Sequence, residues 1–289
     1  MGQAQHHLVR IISILRLILG QIDVIETMTP LDFLEFRDYL YPASGFQSFQ
    51  FRLIETRLGL KASDRLQLTE APFYKALKNP QQELILKALD ESSLIELIES
   101  WLERTPFLEN QHFSFWKSYQ TQIEQMMKND EHTIKTNPLL QDSDRVRSLA
   151  MLEGTKKQFQ ALLDEKIYNE LKKQGQFRIS QKAFMSALLI QLYREEPIFQ
   201  MPFQILSSLL DIDELLTQWR YRHALMAHRM LGSKIGTGGS SGHQYLKDAT
   251  EKHKIFTDFF NLSTFLIPKS MRPKLPEHLK TQMNYTIKS

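Results

Sequence analysis

The sequence predicts an all-α protein, and three observations carry that reading. Apolar residues recur at three- and four-residue steps through most of the chain, the spacing that gathers them on one face of a helix. No segment sustains the two-residue alternation of a half-buried strand, and no internal repeat is visible. Capping and stopping residues fall at the ends of the periodic stretches, where helix termini need partners for N–H and C=O groups that the helix itself leaves unpaired.

The elements follow in order. Leu8, Ile11, Ile12, Leu15, Leu19, Ile22 and Ile25 mark the apolar face of a first helix. Arg10, Arg16, Gln21 and Asp23 interrupt that stretch, so it lacks the run of about 18 uncharged residues that a membrane span requires. No small-residue cleavage site follows it, so it is not read as a signal peptide. Thr29 caps a second helix that has Pro30 at its first position and runs to about Leu40. Pro42 stops it, and Ser44 is expected to cap the next helix, which ends at about Leu58. The segment 59–80 reads as a connection with short helical pieces. A long helix is predicted from about Gln81 to Glu103, ended by Thr105-Pro106.

Two helices, over about 113–129 and 143–174, flank a polar loop and read as a small peripheral helical insertion. Ser180 caps a helix to about Glu195, which Pro197 and Pro202 end. Helices over about 203–210 and 212–231 are separated by Asp211 as a cap. After a glycine-rich loop, Ser241 or Gly242 opens a helix to about Asn261. Three prolines from Pro268 onward predict an extended tail over 268–289. The whole of 1–289 is read as a single domain.

Composition bounds the function. In 289 residues, 42% are hydrophobic and 24% charged, the balance of an ordinary soluble globular protein. With 36 basic against 33 acidic residues the net charge is only +3, which argues against a dedicated nucleic-acid binder. The absence of cysteine excludes disulfides, thiolate catalysis and thiolate ligation of haem, and is compatible with a reducing cytoplasm. Neither nucleic acid nor membrane is expected as a partner.

The chemistry concentrates between 219 and 243. Trp219-Arg220-Tyr221-Arg222-His223 lies on a helical stretch that runs into Gly236-Thr237-Gly238-Gly239-Ser240-Ser241-Gly242. From the residues alone, His223 is either a hydrogen-bonded structural histidine or a haem or metal ligand on a rigid element. The loop is either an interhelical turn or backbone that closes on a small polar ligand. It lacks the Lys-Ser/Thr of a phosphate loop, and no strand precedes it. His228 lies on another helix face and reads as an interhelical or surface residue. The other histidines, at 6, 7, 112, 132, 243, 253 and 278, show no ligand spacing, so no zinc site is expected.

Phe33, Arg37 and Leu40 stand at i, i+4 and i+7 and project from one face. An arginine there either snorkels to a salt-bridge partner or receives a carboxylate. Arg52, Trp101, Trp116 and Arg194-Glu195-Glu196 read as structural, the tryptophans as core and the glutamates as a solvated helix end.

Together with Trp219–His223 and the glycine loop, several phrases are specific. They are Phe36-Arg37-Asp38, Pro42-Ala43-Ser44-Gly45-Phe46-Gln47-Ser48-Phe49-Gln50-Phe51-Arg52, Trp101-Leu102-Glu103-Arg104-Thr105-Pro106, Tyr193-Arg194-Glu195-Glu196-Pro197, and 261–268 from Asn to Pro. On these the chain resembles the tryptophan 2,3-dioxygenases, in order and over nearly its whole length. The resemblance implies a haem-binding helical bundle of the tryptophan/indoleamine dioxygenase type. It implies a haem b enzyme, an assembly of four copies, and insertion of both atoms of O2 across the indole C2–C3 bond of L-tryptophan to give N-formylkynurenine.

It implies His223 as the proximal haem iron ligand and Arg37 as the partner of the substrate carboxylate. Thr237 would bind the ammonium and carboxylate end within the loop that begins at Gly236. Phe33 and Leu40 would line the indole pocket, with Ser44 close to haem and substrate. Family members also carry a preceding segment with a distal histidine, and this chain enters the family pattern around His7. No catalytic residue is therefore assigned within it. The alternative is a shortened, catalytically weak or silent scaffold that binds haem or pairs with full-length subunits.

Overall fold

A computed structural model describes residues 2–40, 48–60, 69, 72–75, 77–104, 109–110, 113–232 and 254–275. The all-α expectation holds. The described strands are two antiparallel residue pairs, Glu109 with Ser114 and Asn110 with Phe113, too short for any alternation to register in the sequence. The chain divides into two compact units, one of Met1–Ile98 with Gln204–Phe256 and the other of Glu99–Phe203 with Thr257–Ser289.

In the first unit, α1 spans Gly2–Ile25 and buries Leu8, Ile12, Leu15 and Ile22, one face at helical spacing. Helix α2 (Pro30–Phe36) starts as predicted, with the Thr29 hydroxyl accepting the Asp32 N–H at 3.2 Å, and tightens into a 3-10 turn at Arg37–Leu40. Helix α3 (Phe49–Leu58) is capped by Ser48, not Ser44; its hydroxyl accepts the Phe51 N–H at 3.2 Å. The end of α3 needs Gly59, whose φ is 128° and whose missing Cβ leaves room for Ile95; a Cβ would lie 2.4 Å from that side chain.

Helix α4 (Pro72–Lys75) is short. The helix expected over 81–103 is two, α5 (Asn79–Asp90) and α6 (Leu94–Glu103). Glu96 accepts the Ser93 backbone N–H at 2.7 Å, so a new N-terminus forms there.

The second unit holds α7 (Phe115–Thr136), α8 (Asp142–Leu163), α9 (Glu165–Lys173) and α10 (Gln181–Leu192). Asp164 breaks the helix expected over 143–174 by accepting the Lys166 and Ile167 N–H groups at 2.9 and 3.1 Å. Ser180 caps α10 as expected, taking the Ala183 N–H at 3.2 Å. Aromatic rings fill this core: Phe184 meets Tyr168, Phe177 and Phe265 edge-on at 5.4–6.1 Å. The Asp258 carboxylate accepts the Arg178 and Ile179 N–H groups at 2.8 and 2.9 Å.

Helix α11 is a single 35-residue helix, Pro197–Leu231, and neither Pro202 nor Asp211 breaks it. Pro202 lies near its start and removes one backbone donor. Asp211 is exposed, while Leu209, Ile212, Asp213 and Leu216 continue one buried face past it. Of the helix expected over 241–261, residues 241–253 lie outside the described residues; 254–256 are not helical, and α12 spans Thr257–Asn261. Of the tail expected to be extended over 268–289, the described part, 268–275, forms a 3-10 turn at Lys269–Met271, and Tyr193 donates its hydroxyl to Pro273 O at 2.5 Å.

Candidate active site

The site grows from the last five turns of α11, within the first unit. Helical spacing puts Asp213, Arg220, Trp219 and His223 towards the interior, while Tyr221 and Leu225 face outward at 57% and 46% exposure. Trp219 and His223, at i and i+4, stack with ring centroids 5.2 Å apart and planes 26° apart. Trp219 also stacks with Phe51 of α3, at 4.7 Å and 25°. Phe51, Trp219 and His223, three rings from two helices, are thus linked in one stacked column.

Charges flank the column. The Arg220 guanidinium lies 5.4 Å from the Phe51 ring centre, and its Nη2 donates to Glu55 Oε1 at 3.2 Å. The other oxygen of Glu55 accepts from Arg52 Nη1 at 3.3 Å. Burial pulls Arg220 below the usual arginine range, opposed by the Glu55 and Asp213 charges. Asp213 accepts the Ile255 N–H at 2.9–3.0 Å and the Phe256 N–H at 2.9 Å. Its carboxyl is pushed up by burial and held back by those two N–H groups and Arg220. Arg222, one position before His223, pairs with Asp23 and, at 3.6 Å, with Glu26, tying α11 to α1.

His223 is half-buried as a residue, but its Nδ1 is shut off from water. Burial pushes its pKa down to about 4, so at neutral pH the ring is the neutral imidazole. That is the ligating form, since protonation would occupy the lone pair that a metal needs. A neutral, orientationally fixed imidazole fits proximal ligation of haem iron. Among the described residues no group of three or more His, Cys, Asp or Glu side chains gathers to hold a bare metal ion.

The remaining expected residues divide. Phe33 is buried, and with Ile22, Met226 and Met230 it forms a cluster joined by Trp219 and Phe36. Phe33 and the Trp219–His223 segment are thus brought to one core. Arg37 is half-buried in the 3-10 turn, and Leu40 ends that turn. The Arg37 backbone N–H still donates to Phe33 O, so Arg37 keeps the helical spacing from Phe33, while the side chain of Leu40 lies outside what is described. Ser44, Gly236 and Thr237 lie outside the described residues.

His228 is exposed. Trp116 is buried and Glu195 is exposed and paired with Lys269, as structural readings of both require. Sequence reasoning missed Glu55, Asp213 and Arg220. Glu55 lies one helical turn after Phe51, and Arg220 adjoins Trp219, but nothing in the order of residues reveals that the two charges meet.

A family model described as Tryptophan 2,3-dioxygenase matches residues 3–266. A protein of Bdellovibrio bacteriovorus named Tryptophan 2,3-dioxygenase is 58% identical over 99% of this chain and 79% of its own length. One of the same name from Alteromonas mediterranea is 47% identical over 98% of this chain and 78% of its own. Another from Dictyostelium discoideum is 44% identical, over 98% and 71%.

Proposed function

The chain belongs to the tryptophan 2,3-dioxygenase family, and we propose that it cleaves the indole C2–C3 bond of L-tryptophan with O2, on haem b, to give N-formylkynurenine. The observation that carries this reading is the neutral, ring-stacked His223 imidazole. When bound, haem supplies the chemistry that binds and activates O2. The chain's own residues then have binding and orienting work. His223 offers its imidazole to the iron. Arg37 would meet the substrate carboxylate with a planar guanidinium, a geometry lysine does not match. Thr237, in the loop that begins at Gly236, would hold the ammonium and carboxylate end. Phe33 and Leu40 would flank the indole, with Ser44 near haem and substrate. Fixing both ends of the substrate orients C2 and C3 toward the oxygen, which is the protein's main contribution to rate.

Identity of 44–58% to relatives that carry the enzyme's name favours an active enzyme over a silent scaffold. An assembly of identical copies in the cytoplasm belongs to the same proposal. Ile14, Leu17 and Val24 on the outer face of α1, 47–69% exposed, support association. No helix among the described residues is long and apolar enough to cross a membrane.

The test is spectroscopic first. His223→Ala should abolish the Soret band of the haem-loaded protein or move it to another ligand set; an unchanged position and stoichiometry rejects His223 as the ligand. Arg37→Ala should weaken tryptophan about 10- to 150-fold, the range for losing a charge-assisted bidentate contact, and leave tryptamine binding nearly unchanged. Equal weakening of both would remove Arg37 from the substrate site.

A further inference from the structure

We infer that the buried Glu55–Arg220 ion pair is a positioning element for the His223 imidazole, acting through the rings of Phe51 and Trp219. The inference rests on the reading of His223 as haem ligand only for its consequence; the positioning itself is a property of the folded chain.

Four observations carry it. The side chains of Arg220 and Glu55 are 1% and 7% exposed, so the pair is fully withdrawn from water. Its links are continuous: guanidinium on Phe51, Phe51 on Trp219, Trp219 on His223. Glu55 is fixed at both oxygens, by Arg220 and by Arg52, so it cannot swing away from the column. Arg220 Nε and Nη1 are buried with no hydrogen-bond acceptor among the described residues. A pair left so incompletely satisfied is a poor stabiliser compared with apolar residues of the same volume. What it does supply is direction. A planar guanidinium tethered at Nη2 can lie over a ring in few orientations, which restricts Phe51 and, by stacking, the two rings beyond it. The imidazole plane is thereby set by a group outside ligating distance.

Three variants of the full chain separate positioning from general stability. Phe51→Leu removes the ring and keeps the ion pair; Arg220→Lys keeps the charge and loses the planar contact; Glu55→Gln keeps the shape and loses the charge. The readout is the ring-proton NMR signals of His223 in histidine-labelled protein without added haem, with the exposed His228 as internal control. Phe51→Leu and Arg220→Lys should each lose most of the ring-current shift at His223 and leave His228 unmoved. Glu55→Gln gives the same readout if Arg220→Lys fails to fold. In haem-loaded protein the same variants should shift the iron–histidine stretching frequency while retaining haem.

Unmoved His223 signals in folded variants overturn the inference, whether or not His223→Ala loses haem. Moved signals support it even if His223→Ala keeps its Soret band, which would instead sink the haem-ligand reading.

Discussion

Asp213 and Arg220 on α11 are 0% and 1% exposed, whereas Glu131, Lys135 and Lys156 of α7 and α8 make their ion pairs in contact with water. Both regions place charges on long helices. On α11 each charge is spent on a fixed partner: two backbone N–H groups for Asp213, and Glu55 for Arg220. On the α7–α8 hairpin, Glu131 is shared between Lys135 at 2.7 Å and Lys156 at 3.1 Å, in surroundings that screen all three. In the interior, removing one member of a pair strands the other without solvent; at the surface, water replaces whatever is lost. The candidate chemistry lies with the first region, and so should the large effects of substitution.

The largest effect is expected at Arg220. Arg220→Met should destabilise the protein by about 3–5 kcal/mol, the range for breaking a buried pair, because Glu55 stays behind as a buried charge with Arg52 as its one remaining ion-pair partner among the described residues. The double variant Glu55→Leu/Arg220→Met should recover most of that loss in urea unfolding. A single variant no less stable than the double would show that Arg52 alone satisfies Glu55, and would weaken the contrast between the regions.

A smaller loss, about 1–3 kcal/mol, is expected for Asp213→Asn. An amide oxygen in the place of Oδ2 still takes both the Ile255 and Phe256 N–H groups, but the charge is lost and the NH2 in the place of Oδ1 meets the Ile255 N–H that this oxygen had accepted at 3.0 Å. Hydrogen exchange at the Ile255 and Phe256 amides should quicken with it. Unchanged protection at both would mean that the carboxylate does not hold this segment.

How far these regions could be read in the sequence differs in the same way. Local signals were legible. Thr29-Pro30 and Ser180 act within three residues of themselves, and both caps are found where they were expected. Two local signals were overlooked although present: Ser93-Leu94-Ile95-Glu96 has the spacing of a capping box, and Asp164 stands where an aspartate can take the next N–H groups. Proline and aspartate misled at 202 and 211, because the buried face of α11 continues past both and packing overrides a local preference.

The site was half legible. The family resemblance singles out His223 and Phe33; Phe33 is buried in the first unit's core, and His223 is half-buried against Trp219. The Glu55–Arg220 pair joins residues 165 apart, and no periodicity or spacing encodes such a contact. The same holds for Asp213, whose partners lie 42 and 43 residues away.

The smallest effect belongs to the hairpin, and it is the sharpest check on the comparison because it predicts almost nothing. Hydrogen bonds from Lys135 and then Lys156 hold the Glu131 carboxyl well down, at about 2 against an ordinary 4.5. A carboxyl depressed on folding contributes stability above its unfolded pKa, and loses it as pH falls through the folded one. Whatever Glu131 contributes is therefore complete above pH 4.5 and gone near pH 2. Its pairs are solvent-exposed, where water weakens the Coulomb attraction, salt screens it further and holding the long side chains costs entropy. Glu131→Gln should then unfold indistinguishably from the parent at neutral pH in ordinary salt. A slight deficit should emerge at low ionic strength and close again as pH falls toward 2. Arg220→Met, by contrast, should keep its full deficit in high salt, since no ions reach the stranded Glu55. If salt rescued Arg220→Met, or if Glu131→Gln were costly at every ionic strength, burial would not be what separates the two regions.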